Sequence, residues 1–169
     1  MLLALDQSST RTGVCKGRPE GPVSLYSFKL PACGEDYGLA ARNYGAWLSK
    51  QLEGVEVIAY EKPCRPGGKL NLHTLRLIYG LCMKIEEVAL THGIPCLEAD
   101  NQKIKALLYG KGGKKPPTSV QVKCPRRWGF DVGNGDEADA AGVFLLTCQH
   151  RFPKAFDNVW IRNRAGALV

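Results

Sequence analysis

The chain has 169 residues, of which 44% are hydrophobic and 23% charged, and its formal net charge is +7. That length and composition fit one folded domain with an ample core and exclude wholesale disorder. No apolar run approaches the roughly 18 residues of a membrane span, and the first one is broken by Asp6 with no cation before it, so a soluble, intracellular protein without a signal peptide is expected.

Residues Leu2 to Asp6 are four apolar residues ending in an acid, the pattern of a buried strand that delivers one carboxylate to its tip. Buried carboxylates are rare unless paired or metal-bound. Thr12 to Lys16 and Pro22 to Leu30 carry short β-type patterns separated by turn residues, which predicts an antiparallel meander. Leu39, Ala40, Tyr44, Trp47, Leu48 and Leu52 fall at helical spacing across residues 38 to 53, with Gly54 as the stop. Val55 to Tyr60 reads as a second buried strand, again tipped by an acid, Glu61, with Pro63 ending it. Residues 70 to 91 are apolar nearly all round, so this helix is expected to be covered on more than one side, by the core or by another subunit. Ile94 to Leu97 predicts a third buried strand, and Asp100 caps a helix to about Tyr109 with Gly110 as its end. Thr118 to Lys123 predicts a short helix limited by Pro125. Gly129 to Gly135 reads as a loop. A helix then opens with Asp136 and Asp139 and has Ala140, Val143, Phe144 and Thr147 as its apolar face. Pro153 to Val169 shows no clear element. The domain is therefore placed at residues 1–152, followed by a basic tail at 153–169. A meander followed by alternating helix and strand describes a mixed α/β sheet with helices on its faces, and in such sheets sites lie at strand ends.

The seven cysteines include no C-x-x-C pair, and His73, His92 and His150 stand apart from them and from each other. Neither a disulfide framework nor a thiolate or imidazole metal site is encoded, so any metal would be held by oxygen. The positive charge is one segment: Lys103 to Arg127 holds eight basic residues and no acid, and without it the chain is one unit negative. A solvated basic face is the plain reading of such a run, but the lack of any compensating acid favours a phosphate-binding surface. Asp6, Glu61, Asp136 and Asp139 are the candidate catalytic and metal-binding residues. Asp136 and Asp139, three apart on a helix, share a face. Four acids in one site require cations, and hard divalent ions such as Mg²⁺ suit all-oxygen ligands. Two such ions would serve in-line phosphodiester hydrolysis. Each acid also has a plain alternative: Asp136 as a helix N-cap with Asp139 in its first turn, Glu61 as an exposed strand end, Asp6 as a cap of its own turn.

Taken together, LALDQSSTRTG, VIAYEKP, Asn71-Leu-His-Thr with Gly80, KIKALLYGKGGKKPPTSVQV and GDEADAAGVFLL resemble, in order and spacing, the RuvC-type Holliday junction resolvases of the RNase H-like nuclease superfamily. The resemblance spans essentially the whole chain and implies a mixed five-stranded sheet, a three-stranded antiparallel meander plus parallel strands, with helices on both faces. It implies a metal-dependent endodeoxyribonuclease making paired cuts in four-way DNA junctions as a homodimer in the cytoplasm of a bacterium or phage-infected cell. Asp6 would sit between two Mg²⁺ ions, for which Mn²⁺ substitutes. Glu61 would help bind one ion, and Asp136 with Asp139 would complete the site. Lys62, Lys103, Lys105, Lys111, Lys114, Lys115, Lys123, Arg126 and Arg127 would hold DNA phosphates. The helix at 70 to 91 would carry much of the dimer contact. Two departures stand out: the family's Pro-Gly after the first aspartate is Gln7-Ser8 here, and Pro63-Cys64 follows the second acid where the family often offers a base-stacking aromatic. Trp128, Phe130 or Tyr79 could take that role. The other readings are a different RNase H-like nuclease acting on RNA–DNA hybrid or branched DNA, a lobe of an actin-like ATPase, whose phosphate loop LALDQSSTRTG also resembles, and a DNA-binding module without catalysis.

Overall fold

Successive residues of an extended strand face opposite sides, and in the computed structural model both sides of the first strand, β1 (Leu2–Gln7), are covered. Leu2 and Ala4 enter one apolar layer, Leu3 and Leu5 the other. The structure describes residues 1–63, 71–110 and 116–161. β1 pairs antiparallel with β2 (Arg11–Gly17), and β2 with β3 (Val23–Lys29), which is the expected meander. On its other side β1 pairs in parallel with β4 (Val57–Glu61), and β4 in parallel with β5 (Cys96–Ala99). The resulting order, β3-β2-β1-β4-β5, is the mixed five-stranded sheet anticipated from the motifs.

The Leu3 and Leu5 face is closed by α1 (Tyr37–Ser49) and α2 (Leu72–Thr91). The Leu2 and Ala4 face is closed by α5 (Gly135–Arg151), with α3 (Asn101–Tyr109) and α4 (Thr118–Arg126) packed outside it. The two long helices exchange the characters expected of them. α5 is buried all round, with every residue from Ala140 to Cys148 inside, because its small residues admit neighbours closely. A Cβ on Gly142 would come within 2.6 Å of Ile104 Cγ2 and 2.8 Å of Leu108 Cδ1. α2 instead buries one face through Leu81, Cys82, Ile85, Val88 and Ala89. It leaves Leu72, Met83 and Leu90 at 60%, 69% and 82% exposure.

Several boundaries shift for local reasons. β4 starts two residues late because the Val55 N–H closes a turn onto Leu52 O at 3.0 Å. β5 starts late because the Ile94 N–H bonds Ala89 O at 2.9 Å and so belongs to the end of α2. α1 stops at Ser49, where the Lys50 and Gln51 N–H groups tighten onto Trp47 O and Leu48 O. α4 runs through Pro125 to Arg126, since a proline in the last turn removes a single backbone bond. Asp100 and Gly110 cap α3 as expected, Gly110 with φ of 78°. After α5, a short turn α6 (Pro153–Ala155) and a π-type turn (Phe156–Ile161) occupy a region with no predicted element. Phe156 and Trp160 are buried there, Trp160 stacks on Phe130 with ring centroids 4.8 Å apart, and its Nε1–H donates to Pro19 O at 2.6 Å. The rest of the expected basic tail, with Arg162 and Arg164, lies outside the described residues. Among the described residues no helix is long and apolar enough to cross a membrane.

Candidate active site

Strand alternation decides where the first two acids point. Leu2 and Ala4 of β1, and Val57 and Ala59 of β4, all enter the α5-side layer, so Asp6 and Glu61, next in each alternation, project to that side. The parallel register pairs Leu5 with Tyr60, which brings Asp6 and Glu61 to neighbouring positions at the ends of their strands. Asp6 is half-buried and lies opposite Gly13 in the antiparallel register. Gly13 in turn is where α5 begins to cross the sheet: a Cβ there would stand 1.9 Å from the Asp136 carbonyl oxygen. The bare glycine lets the first turn of α5 rest on β2, across from Asp6.

That first turn is not capped by an aspartate. Asn134 is the N-cap, its Oδ1 accepting from Glu137 N–H at 3.0 Å, while Glu137 accepts from Gly133 N–H and Asn134 Nδ2, each at 2.7 Å. This arrangement, a variant of the capping box in which the acid reaches the N–H of Gly133 rather than that of the cap itself, overturns the reading of Asp136 as the cap, and it assigns to Asn134 and Glu137 the work that would have explained Asp136 and Asp139 away. Asp139 is further tied to the strand acids through Tyr109 at the end of α3. The Tyr109 phenol is pushed well above its ordinary value, first by burial, then by the charges of Asp139, Cys124, Glu61 and Asp6. Tyr109 thus lies within electrostatic reach of acids from β1, β4 and α5. Its hydroxyl is buried and has no hydrogen-bond partner among the described residues. Glu61 is held by two amides: Asn101 Nδ2 donates to its Oε1 and Gln7 Nε2 donates to its carbonyl oxygen at 3.3 Å. The acids supply only oxygen donors, which suits a hard divalent ion. Among the described residues, however, no three His, Cys, Asp or Glu side chains close into a ready-made metal cage. The fit to such an ion is one of donor chemistry and placement at one end of the sheet.

Solved structures share this architecture. The Thermus thermophilus RuvC structure matches with a TM-score of 0.64 at 15% identity, over 91% of this chain and 96% of that one. T. thermophilus RuvC in complex with its Holliday junction substrate matches at 0.66 and 15%, over 98% and 96%. The fold is that of RuvC. The yeast mitochondrial Holliday junction resolvase Ydc2 matches at 0.51 and 14% identity, over 97% of this chain and 83% of that one. No protein-family model and no curated protein matches the sequence.

On this RuvC-like, RNase H-like fold the basic residues divide. Lys62 makes an ion pair with Glu98 at 3.1 Å. Lys103 lines a cleft of about 290 Å³ with His150 and Arg151 at the C-terminal end of α5. Lys105 lies one helical turn after Asn101 and so on the face of α3 that meets Glu61. Lys123, Arg126 and Arg127 are exposed at the end of α4, and Arg126 Nη2 also donates to Val132 O at 3.0 Å, bracing the loop that leads into α5. Lys111, Lys114 and Lys115, and Cys64, lie outside the described residues. Trp128 and Phe130 are buried core residues, whereas Tyr79 is 43% exposed. Asn101 and Tyr109 are site residues that sequence reasoning did not single out. Gln7 stood out there only as a departure from the expected Pro-Gly, with no role attached, and the structure places it as the last residue of β1.

Proposed function

We propose that the chain is a metal-dependent endonuclease that resolves four-way DNA junctions by paired phosphodiester hydrolysis. The observation that carries this reading is that Asp6 and Glu61 end neighbouring strands, with the first turn of α5 resting on β2 across from Asp6, in a fold like that of RuvC. Asp6, Glu61, Asp136 and Asp139 would hold two Mg²⁺ ions, or Mn²⁺ in their place. When bound, such ions activate a water and stabilise the leaving oxygen of an in-line displacement. Asn101 holds Glu61 in its rotamer, and Gly13 lets α5 bring its acids over β1 and β2. Lys105, Lys123, Arg126 and Arg127, with Lys103 and the lysines of residues 111–115, would neutralise phosphates along the strands. Lys62, paired with Glu98, would have to exchange partners to join them. The cytoplasm is the expected setting.

Paired cuts need two sites, and α2 offers a way to join two copies. Its exposed Leu72, Tyr79, Met83 and Leu90 form a stripe along the helix, a self-complementary surface suited to a two-fold dimer. The test incubates the purified chain with a labelled four-way junction, the matched duplex and an RNA–DNA hybrid, in Mg²⁺ and in EDTA. Symmetric nicking of the junction alone is expected, abolished in EDTA and in Asp6→Asn while binding persists. Cleavage of the hybrid but not the junction would refute the resolvase reading, and full activity in Asp6→Asn would refute the metal site.

A further inference from the structure

The sheet has an open edge at β5, its last strand. Ile58 N–H donates to Pro95 O and Lys62 N–H to Ala99 O, each at 2.9 Å, and Tyr60 lies opposite Glu98 in the parallel register. The ladder to β4 therefore uses the backbone of Leu97 and Ala99, and the N–H and C=O groups of Cys96 and Glu98 point the other way. They have no backbone partner among the described residues.

Beside this edge is the cleft of about 290 Å³ at the C-terminal end of α5. Its floor is apolar, with Leu97 packed into the α5-side core and Leu146 buried. Lys103, His150 and Arg151 stand exposed at its rim. The acids there are engaged: Asp100 accepts from Lys103 N–H at 3.0 Å as the cap of α3, and Glu98 pairs with Lys62 and accepts from the Tyr60 hydroxyl. Neither Lys103 nor Arg151 forms an ion pair among the described residues. His150 lies about four turns beyond Asp136 on α5, roughly 21 Å, well away from where that helix brings its own acids to the sheet.

We propose that β5 and this cleft dock an extended acidic segment of a partner protein. The segment adds a strand to the open edge, seats an apolar side chain over Leu97 and Leu146, and sets a carboxylate two residues away, on the same face, against Arg151. Lys103 adds to that rim when no phosphate engages it. A strand edge needs donors and acceptors in alternation; a peptide backbone supplies both, whereas a phosphodiester has no donor. A second copy is the poorer occupant, because two paired β5 edges would bring two cationic rims together. The site adds a protein partner to the nucleic-acid one and does not depend on it.

The test titrates the full chain into a fluorescein-labelled peptide, Ser-Glu-Thr-Leu-Thr-Glu-Ser, read by anisotropy. Its comparators carry Lys for both Glu, or methyl groups on the amide nitrogens of either Glu, Leu and Glu or the two Thr. The acidic peptide should bind and its Lys form should bind about fivefold or more weakly. One methylation pattern should abolish binding and the other spare it, since only alternate residues of an added strand turn their N–H to β5. Arg151→Glu should weaken the acidic peptide by about fivefold or more and leave junction affinity in EDTA unchanged. No binding, equal binding of the acidic and Lys forms, or equal behaviour of the two methylated forms would overturn the proposal. Release of monomer from a dimer by the peptide would overturn it in favour of a second copy, and loss of junction affinity in Arg151→Glu with peptide affinity intact would overturn it in favour of a nucleic-acid surface.

Discussion

Substituting Gly13 by alanine tests how closely α5 must approach the sheet. The added methyl would lie 1.9 Å from the Asp136 carbonyl oxygen, 2.5 Å from its carbon and 3.2 Å from Glu137 N. All three are backbone atoms of a helix buried on every side, so no side-chain rotation relieves the clash. Ordinary contact begins near 3.4 Å, and the first turn of α5 has to move by about 1.5 Å from β2 to reach it. Overpacking of this kind costs about 1–3 kcal/mol, against about 0.4–1 kcal/mol returned by the stiffer unfolded chain. The net loss should be about 1–2 kcal/mol, a fall of about 2–8 °C in Tm for a chain of this size. The same movement carries Asp136 and Asp139 away from Asp6 and Glu61, and a misplacement of about 1 Å costs on the order of a hundredfold in rate. Urea unfolding followed by fluorescence of the buried Trp128 and Trp160 reads the first effect, and single-turnover cleavage reads the second. Gly80→Ala is the control: nothing lies within 4 Å of its would-be Cβ in the middle of α2, so it should stabilise by about 0.5–1 kcal/mol. A Gly13→Ala protein with the wild-type midpoint and wild-type cleavage would refute this account of how the site is assembled.

Three further outcomes follow from side chains around the site and the core. Asn101→Ala removes the amide that holds Glu61 and should weaken Mn²⁺ binding, read by calorimetry, by about 10- to 100-fold while junction affinity in EDTA is kept; unchanged Mn²⁺ affinity would show that Glu61 is oriented by other groups. Burial, aided by Glu86 and Glu98, raises the thiol of Cys82 to about 11 and that of Cys96 to about 12. The folded state thus keeps protons that the unfolded state releases near pH 9, so stability should decline as pH rises from about 9 towards 11–12; a Tm as steep in alkali for the Cys82→Ala, Cys96→Ala double variant would assign that decline elsewhere. Arg127→Ala should lower the salt slope of DNA binding by about one unit without changing Tm, whereas Arg126→Ala, which also releases Val132 O, should lower both; identical Tm values would show that the loop before α5 is braced without it.

The period of two in LLALD and in VIAYE was enough to give Asp6 and Glu61 their common face. Their adjacency depended on the register between β1 and β4, which a sequence alone does not reveal. The start of α5 near Asp136 was legible to within one residue, but its cap was not, because three acids in DEAD drew attention from Asn134, although Asn134 with Glu137 three residues on is itself a capping pattern. The exchange of character between α2 and α5 has a compositional cause. Large apolar residues on α2 suggested enclosure, while the alanines and glycine of α5, weak on any hydropathy scale, are what allow it to be enclosed. Tyr109 and Asn101 had no signal to offer, since their roles exist only where α3 meets β4 and α5 in space. Phe156 and Trp160, four apart, did carry a helical signal, obscured by the charged residues around them.

The bond from Trp160 to Pro19 spans nearly the whole described chain, and the helix it stands behind is the one that roofs the sheet's second face. During synthesis β1 to β4 can pair, and α1 and α2 can close one side, long before α5 leaves the ribosome. Until then Leu2, Ala4, Cys15, Val57 and Ala59 are an open apolar floor, and Asp6 and Glu61 face solvent without Asp139. Such long-range closure is slow and leaves sticky surface in waiting. It also has a second consequence: in a nascent or truncated chain the acids of β1 and β4 stand without Asp139, so the candidate site exists only once α5 has closed over the sheet.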